Sequence, residues 1–150
     1  RDWSSDVCSS DLDFYKGDYK FEFGKADKLR SGDDGAIFAL GYTAQIAINA
    51  AEILERDSNK KISVYAVSCP LVPDMNAIKE AAKTNFVITL EDHNTETGMG
   101  AIMALEAARN GILLPNFKTL GVTRYGASGT SDQVRAEMGI SAEQVANAMR

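Results

Sequence analysis

The chain has 150 residues, with 16 lysine and arginine residues against 21 aspartate and glutamate residues, so its formal net charge is −5 at pH 7. This acidic balance argues against a nucleic-acid partner, which would favour clustered basic residues. The sequence lacks a run of about 18 apolar residues, so it predicts no membrane-spanning helix. A chain of this length buries about two-thirds of its unfolded surface, which is enough for one independent core.

The first 12 residues differ in character from the rest of the chain. They have no helical or strand periodicity, and they lack the basic start and apolar core of a secretory signal peptide. Residues 2–12 resemble the translation of a common sequencing-library adapter in one frame; the alternative is a natural disordered tail. We therefore interpret residues 1–12 as a non-native tail, residues 13–19 as a linker from a missing upstream domain, and residues 20–150 as one domain.

On this interpretation the true N-terminus is absent, 138 residues remain, and their net charge is −3. Cys69 is then the only cysteine, which excludes an internal disulfide framework and suits a reducing cytoplasm. No second cysteine or histidine stands near it at metal-ligand spacing, so a packed thiol is expected rather than a metal site.

The region from 19 to 40 predicts two strands joined by a turn. Residues 19–30 form an extended run, and residues 36–40 are an unbroken apolar run typical of a buried strand. A cluster of Ser, Gly and Asp over 31–35 separates them, and a short turn between two extended runs predicts a β-hairpin. This turn also invites comparison with a metal–diphosphate loop, but its flanking strands favour the hairpin. The sheet is therefore expected to begin with an antiparallel edge strand.

The rest of the chain alternates between helical and strand patterns. The predicted order is a helix over 43–55 capped by Thr43, a strand over 62–67, a helix from Asp74 to near Lys83, a strand over 86–90, a helix from Gly98 to near Asn110, a strand over 117–122, and two short helices beginning at Ser131 or Asp132 and at Ser141. Such alternation implies right-handed crossovers and a sheet covered on both faces. The predicted fold class is α/β, a three-layer αβα sandwich around a mostly parallel five-stranded sheet with one antiparallel edge strand.

Two glycine-containing loops are interpreted as structural. Gly41 lies between a strand and a helix, where dinucleotide-binding folds carry a glycine-rich loop, but the G-x-G-x-x-G pattern is missing and the bulky Tyr42 would obstruct a pyrophosphate. Ser128 and Gly129 lack the G-x-S-x-G pattern of a nucleophile elbow. We therefore predict that Gly41 is a turn and that Ser128 and Gly129 lie in a loop that starts a helix.

The most informative polar segment consists of Glu91, Asp92, His93 and Asn94, directly after an apolar strand run. In an open parallel sheet, functional groups commonly lie at the carboxyl ends of the strands. His93 is the only histidine of the chain, and with the adjacent acids it could act as a general base or hold an anionic substrate. The alternative is a structural role, in which His93 caps the loop or bonds to backbone at an interface.

Three segments, in order and with compatible spacing, resemble the C-terminal domain of transketolase. The first segment is Gly24-Lys25-Ala26 together with the strand that ends before Gly41. The second segment is Glu91 to Asn94 followed by Gly98 and Gly100, which is similar to the family's acid-acid-His-Asn run and glycine-rich helix start. The third segment runs from Leu120 through Tyr125, Ser128 and Gly129 to Ser141. The resemblance covers residues 20–150. Thr97 departs from it, because the family has a glycine at that position, and so does the direct Pro73-Asp74 step.

The pattern is nearest to the split transketolases, in which the C-terminal section is a separate chain. The synthase of deoxyxylulose phosphate and the β subunits of 2-oxo-acid dehydrogenases share the domain but typically lack the acid-acid-His-Asn form. The resemblance implies an enzyme that moves a two-carbon ketol unit between sugar phosphates with thiamine diphosphate and Mg²⁺.

In that family the cofactor lies between two other domains of a dimer, and this domain packs beside them. We therefore expect no cofactor or metal ligand in this chain and no catalysis by the chain alone. We expect Glu91, Asp92, His93 and Asn94 to lie at an interface or at the active-site rim. The expected partners are the upstream thiamine-binding domains, in cis or as a separate subunit, in a homodimer or heterotetramer in the cytoplasm. Two alternatives stay open: a non-catalytic subunit or interaction module of another thiamine-dependent enzyme, and a stand-alone small-molecule enzyme that uses Glu91 and His93.

Overall fold

The computed structural model describes residues 19–126 and 128–150. The predicted tail over 1–12 and the predicted linker over 13–19, apart from Tyr19, lie outside these ranges. The strands are β1 (Ala26–Arg30), β2 (Gly35–Leu40), β3 (Ile62–Val67), β4 (Val87–Asn94) and β5 (Lys118–Val122). The helices are α1 (Thr43–Ser58), α2 (Met75–Ala81), α3 (Met99–Arg109), α4 (Ser131–Met138) and α5 (Ala142–Ala148).

The strands form one five-stranded sheet in the order β1-β3-β2-β4-β5. β1 runs antiparallel to β3, whereas the other neighbouring pairs are parallel. A mostly parallel sheet with one antiparallel edge strand was the sequence prediction, and the structure confirms it.

The predicted hairpin between β1 and β2 is wrong, because β3 lies between the two strands. The short connection instead crosses the start of β3. Asp34 Oδ2 accepts a hydrogen bond from the Lys61 amide at 2.7 Å, and Ser63 Oγ donates to the Gly32 carbonyl at 2.7 Å. A Cβ atom at Gly32 would lie 2.3 Å from the Lys61 carbonyl carbon, so this crossing needs glycine. The Gly and Asp residues therefore fasten the connection to a third strand rather than closing a two-strand turn.

Helices cover both faces of the sheet, which gives the predicted three layers. Alternate residues of a strand point to opposite faces, and the central strands are apolar on both. One face packs against α1 and α5 through Ile37, Ala39, Ile62, Val64, Ile88, Leu90, Val145 and Met149. The other packs against α2 and α3 through Ala36, Phe38, Tyr65, Val87, Ile78, Met99 and Met103. Within the described residues, every helix is too short or too polar to span a bilayer.

The helix starts follow the sequence prediction in part. Asp74 caps α2 as predicted, since its Oδ1 accepts from the Asn76 amide at 2.9 Å, and Ser141 forms the expected capping box with Gln144. Thr43 does not cap α1: it is the first helical residue, and its Oγ1 lies 2.8 Å from the Leu90 carbonyl oxygen. This buried hydroxyl instead ties α1 to the neighbouring strand.

Candidate functional site

The candidate site begins at the end of β4, which is longer than the sequence predicted. The prediction ended this strand at residue 90, whereas β4 continues to Asn94. The register against β5 slips between Leu90, which pairs with Leu120, and Asn94, which pairs with Val122. Between these two pairs the chain moves four positions along β4 but only two along β5. An ideal strand alternates its side chains between the two faces, whereas Asp92, His93 and Asn94 are consecutive and all exposed at this irregularity.

Glu91 turns inward and supports the start of α3. Its side chain is fully buried, its Oε2 accepts from the Met99 amide at 2.7 Å, and its Oε1 accepts from the Gly100 amide at 2.9 Å. The first amides of a helix have no partner within the helix, and a negative charge there is favoured by the helix dipole. Both carboxylate oxygens are therefore used in joining β4 to α3.

The two glycines of this helix start are required by close approach to β4. A Cβ atom at Gly98 would lie 2.1 Å from Glu91 Oε2, and one at Gly100 would lie 2.4 Å from Thr89 Oγ1. The N-cap is Gly98 itself, with extended backbone and no capping side chain of its own. The buried glutamate thus replaces the usual capping residue.

Asp92 and His93 turn outward from the same stretch. Their side chains are 60% and 63% exposed, and Asp92 Oδ1 lies 2.9 Å from His93 Nδ1. The backbone of β5 lies close to theirs, since a Cβ atom at Gly121 would lie only 2.7 Å from the His93 carbonyl oxygen. Asn94 ends the strand by accepting from the Glu96 amide at 2.8 Å. The geometry presents an exposed imidazole on backbone that is closely packed against β5.

Two open hollows flank these side chains. Asp92 borders one against α4, and Asn94 borders another beside Arg124 and Tyr125. Arg124 is paired with Glu137 at 3.4 Å. Small-molecule sites are usually enclosed and mainly apolar. Both hollows are open to solvent, and the one beside Asp92 is lined largely by apolar side chains, including Val122, Val134 and Met138. An open shape suits contact with another surface better than enclosure of a substrate.

The remaining predicted positions lie around the same edge of the sheet. Gly41 has a φ of +58° in the turn after β2. Ser128 is exposed, and the cap of α4 is Thr130 rather than Ser128. A Cβ atom at Gly129 would lie 3.1 Å from Gln133 Oε1. Sequence reasoning missed a contact here: the Arg135 guanidinium lies 4.3 Å from the Tyr42 ring centroid. Because these two residues are 93 positions apart, no local pattern could have revealed it.

The described residues do not fit a site for thiamine diphosphate and its metal. Within 19–126 and 128–150, no three His, Cys, Asp or Glu residues are grouped so that they could hold a metal ion. In the turn that invited comparison with a metal–diphosphate loop, the Asp34 carboxylate is occupied by the Lys61 amide.

A second polar cluster lies on the α2 side of the sheet. Lys28 Nζ is 2.5 Å from Glu80 Oε1 and 5.4 Å from the Tyr65 ring centroid. The hydrogen bond to Glu80 raises the pKa of Lys28 and lowers the pKa of Glu80, whereas burial raises the pKa of the Tyr65 hydroxyl. The charged pair is partly exposed, and pairs of this kind contribute little to stability. This cluster closes the edge of the core rather than forming a reaction site.

Comparisons with known proteins place this geometry in a family. Residues 24–145 match the family described as "Transketolase, C-terminal domain". The chain is 31% identical over 130 residues to 1-deoxy-D-xylulose-5-phosphate synthase from Syntrophotalea carbinolica, covering 85% of this chain and 20% of that protein. It is 30% identical over 138 residues to a subunit of the apulose-4-phosphate transketolase from Actinobacillus succinogenes, covering 89% of this chain and 43% of that protein.

A solved structure described as a split gene transketolase, inactive beta4 tetramer, superimposes with a TM-score of 0.84 at 26% identity, covering 92% of this chain and 45% of that chain. The chain thus spans between a fifth and less than half of the length of the proteins it resembles. The resemblance drawn from the three sequence segments is confirmed: this chain belongs to the family of transketolase C-terminal domains.

Proposed function

We propose that the chain serves as the C-terminal section of a thiamine-diphosphate-dependent transferase that moves a two-carbon ketol unit between sugar phosphates. The proposal is supported by the family match over 24–145 and by the likeness to a subunit of apulose-4-phosphate transketolase. The observation that carries it is the form of the site: an outward-facing Asp92–His93 pair beside open hollows rather than an enclosed pocket. Such a site supports a role in contact with neighbouring domains.

In this proposal the upstream domains would bind thiamine diphosphate and Mg²⁺, which would supply the chemistry of two-carbon transfer. The residues of this chain bind and orient those domains. Glu91 holds the end of β4 in place, and His93 contacts either the partner domain or the rim of its active site. The complete enzyme is a homodimer or a heterotetramer, according to whether the upstream domains are joined to this chain or form a separate subunit. The free thiol of Cys69 suits a reducing cytoplasm.

A second reaction is favoured by a specific observation. The relative from S. carbinolica is a 1-deoxy-D-xylulose-5-phosphate synthase, and its identity to this chain, 31%, is equivalent to the 30% of the transketolase subunit. The upstream domains would decide between the two reactions, because they would bind the cofactor and the reacting sugars. The domain described here would serve the same contact role in either enzyme.

The experiment is to express the chain together with the upstream sequence of its own gene and to assay both reactions. We expect two-carbon transfer between sugar phosphates, dependent on added thiamine diphosphate and Mg²⁺, and no turnover by the chain alone. Formation of 1-deoxy-D-xylulose 5-phosphate instead would establish the second candidate. Turnover of a metabolite by the isolated chain, or an upstream gene without a thiamine-dependent activity, would refute the proposal.

A further inference from the structure

The order of the strands creates a crevice at the carboxyl ends of β2 and β4. These two strands are neighbours, with β3 beyond β2 and β5 beyond β4, and the helices that follow them, α1 and α3, cover opposite faces of the sheet. Open α/β sheets commonly bind ligands at such a point, where the direction of the connections reverses. The topology therefore places a potential ligand site between the starts of α1 and α3.

This chain fills the crevice with its own side chains. On the α1 side, Thr43 Oγ1 lies 2.8 Å from the Leu90 carbonyl oxygen. On the α3 side, the fully buried carboxylate of Glu91 accepts from the Met99 and Gly100 amides. A carboxylate here takes the position that a bound anion takes at the start of a helix in other α/β folds. Glu91 is therefore an internal ligand of α3.

Backbone forms the walls of the space around this carboxylate. A Cβ atom at Gly98 would lie 2.1 Å from Glu91 Oε2, and one at Gly100 would lie 3.3 Å from Glu91 Oε1. Gly98 is half-buried and Thr97 is exposed, so the space lies just below the surface. Truncation of Glu91 would therefore leave a recess that is lined by backbone and close to solvent.

A buried hydroxyl without a partner points to a ligand at the same place. Thr89 lies two residues before Glu91 on β4, so the two side chains share the face of the sheet that α3 covers. Thr89 is fully buried, and its Oγ1 has no hydrogen-bond partner among the described residues, whereas buried hydroxyls normally have one. This oxygen lies only 2.4 Å from the Cβ position at Gly100. The tethered Glu91 thus satisfies two of the three donors that converge here.

We propose that the start of α3 is a binding site for a small carboxylate, which the chain closes with Glu91. Truncation of Glu91 to alanine removes Cγ and the carboxyl group, and these four non-hydrogen atoms are the ones that acetate has. Free acetate in the recess accepts from the Met99 and Gly100 amides and, without the tether, from the Thr89 hydroxyl as well. Its charge is favoured by the dipole of α3. The inference does not depend on the proposed function.

The test measures the melting temperature of Glu91→Ala at pH 7 in sodium acetate and in sodium chloride of equal ionic strength. A Kd of about 10 mM lies within the limit for a ligand of four non-hydrogen atoms. At 100 mM acetate, binding to the folded chain then raises the folding equilibrium constant about tenfold. This gain corresponds to a rise of about 3–6 °C in the melting temperature. We expect the rise to saturate as the acetate concentration increases.

Three controls separate a specific site from a general effect of the salt. The parent chain should melt at the same temperature in both salts, because Glu91 occupies the recess. Glu96→Ala, which truncates an exposed glutamate of the same loop, should behave like the parent chain. Acetamide has the shape of acetate without its charge, and it should not stabilise Glu91→Ala. Equal effects of acetate on Glu91→Ala and on either control protein would overturn the proposal, as would equal effects of acetate and acetamide.

A second substitution tests the third donor. In the parent chain, Thr89→Val removes a hydroxyl that has no partner, so we expect it not to lower the melting temperature. In Glu91→Ala, the same change removes a hydrogen bond to bound acetate, and we expect about tenfold more acetate to be needed for the same rise. If Thr89→Val left the acetate dependence of Glu91→Ala unchanged, the three-donor site would be overturned.

A further measurement covers the case in which Glu91→Ala does not melt cooperatively in chloride. The circular dichroism of the variant is then followed at low temperature as acetate is added. Recovery of the helical signal with acetate, and not with chloride or acetamide, supports the site. Absence of this recovery overturns the proposal.

Discussion

The buried carboxylate of Glu91 offers the sharpest test of how this site is built. In Glu91→Gln, one carboxylate oxygen is replaced by an amide group of similar size. The oxygen that remains can accept from only one of the Met99 and Gly100 amides, and the new NH₂ group faces the other amide, donor against donor. The favourable interaction of a negative charge with the start of α3 is lost as well.

The expected cost follows from these contacts. A hydrogen bond to a charged group contributes about 1.5–3 kcal/mol, and a buried donor left without a partner costs about 1–3 kcal/mol. The substitution also removes the desolvation cost of a buried charge, which offsets part of the loss. We therefore expect Glu91→Gln to lower the free energy of unfolding by about 2 kcal/mol, and Glu91→Ala, which strands both amides, by about 3–4 kcal/mol.

Urea unfolding of the three proteins at pH 7, followed by circular dichroism, measures these differences. Glu96→Gln is the matched control, because Glu96 is an exposed glutamate five positions further along the chain, and we expect it to change stability by less than about 0.5 kcal/mol. If Glu91→Gln were as stable as Glu96→Gln, the carboxylate would not be supporting the helix start, and the buried charge would have no structural role at the site.

Three further predictions concern the packing, the alkaline limb of stability and the exposed histidine. Gly100→Ala should destabilise the fold by about 1–2 kcal/mol in urea unfolding, because contact with Thr89 outweighs the usual gain in helix propensity; a stabilised variant would refute this. The raised pKa of Tyr65 means that its hydroxyl ionises in the unfolded chain first, so this residue contributes stability that is lost as the pH rises above 10.0. Tyr65→Phe should therefore flatten the decline measured by thermal melting between neutral and alkaline pH, and an equally steep decline would contradict that cause. His93→Ala should leave the melting temperature of the chain within about 2 °C, because its side chain is exposed, while weakening assembly or sugar-phosphate binding in the complete enzyme; unchanged sedimentation and kinetics would remove His93 from the site.

The strands and helices could be predicted from sequence because their patterns are local. The order of the strands in the sheet could not, because it depends on contacts between distant residues. Alternating runs indicate the strands and helices, and Asp74 and Ser141 mark the starts of their helices because a capping residue acts within three positions. The hairpin prediction failed because the turn between β1 and β2 has the composition of a tight turn, while its partners, Lys61 and Ser63, lie some 30 positions away. Sequence reasoning had no means of seeing that β3 enters between two consecutive strands.

Thr43 shows the same limit on the scale of one side chain. A threonine before a helical pattern is a reasonable cap, but a hydroxyl that can reach Leu90 on the neighbouring strand satisfies a buried carbonyl there. Tertiary contact overrides the local signal.

Glu91 is buried whereas Asp92 and His93 are exposed, and this difference affects how the family resemblance is interpreted. The acid-acid-His-Asn run and the glycines after it were compared with the family as one motif. In the structure, the residues of this motif have different roles. Glu91, Gly98 and Gly100 meet one another at the helix start, so similarity at these positions reports how β4 joins α3. This support joins two elements of the fold, and the overall identity of the chain is equivalent for a synthase and for a transketolase subunit, 31% and 30%. Asp92 and His93 take no part in this support, because their side chains face outward and are 60% and 63% exposed.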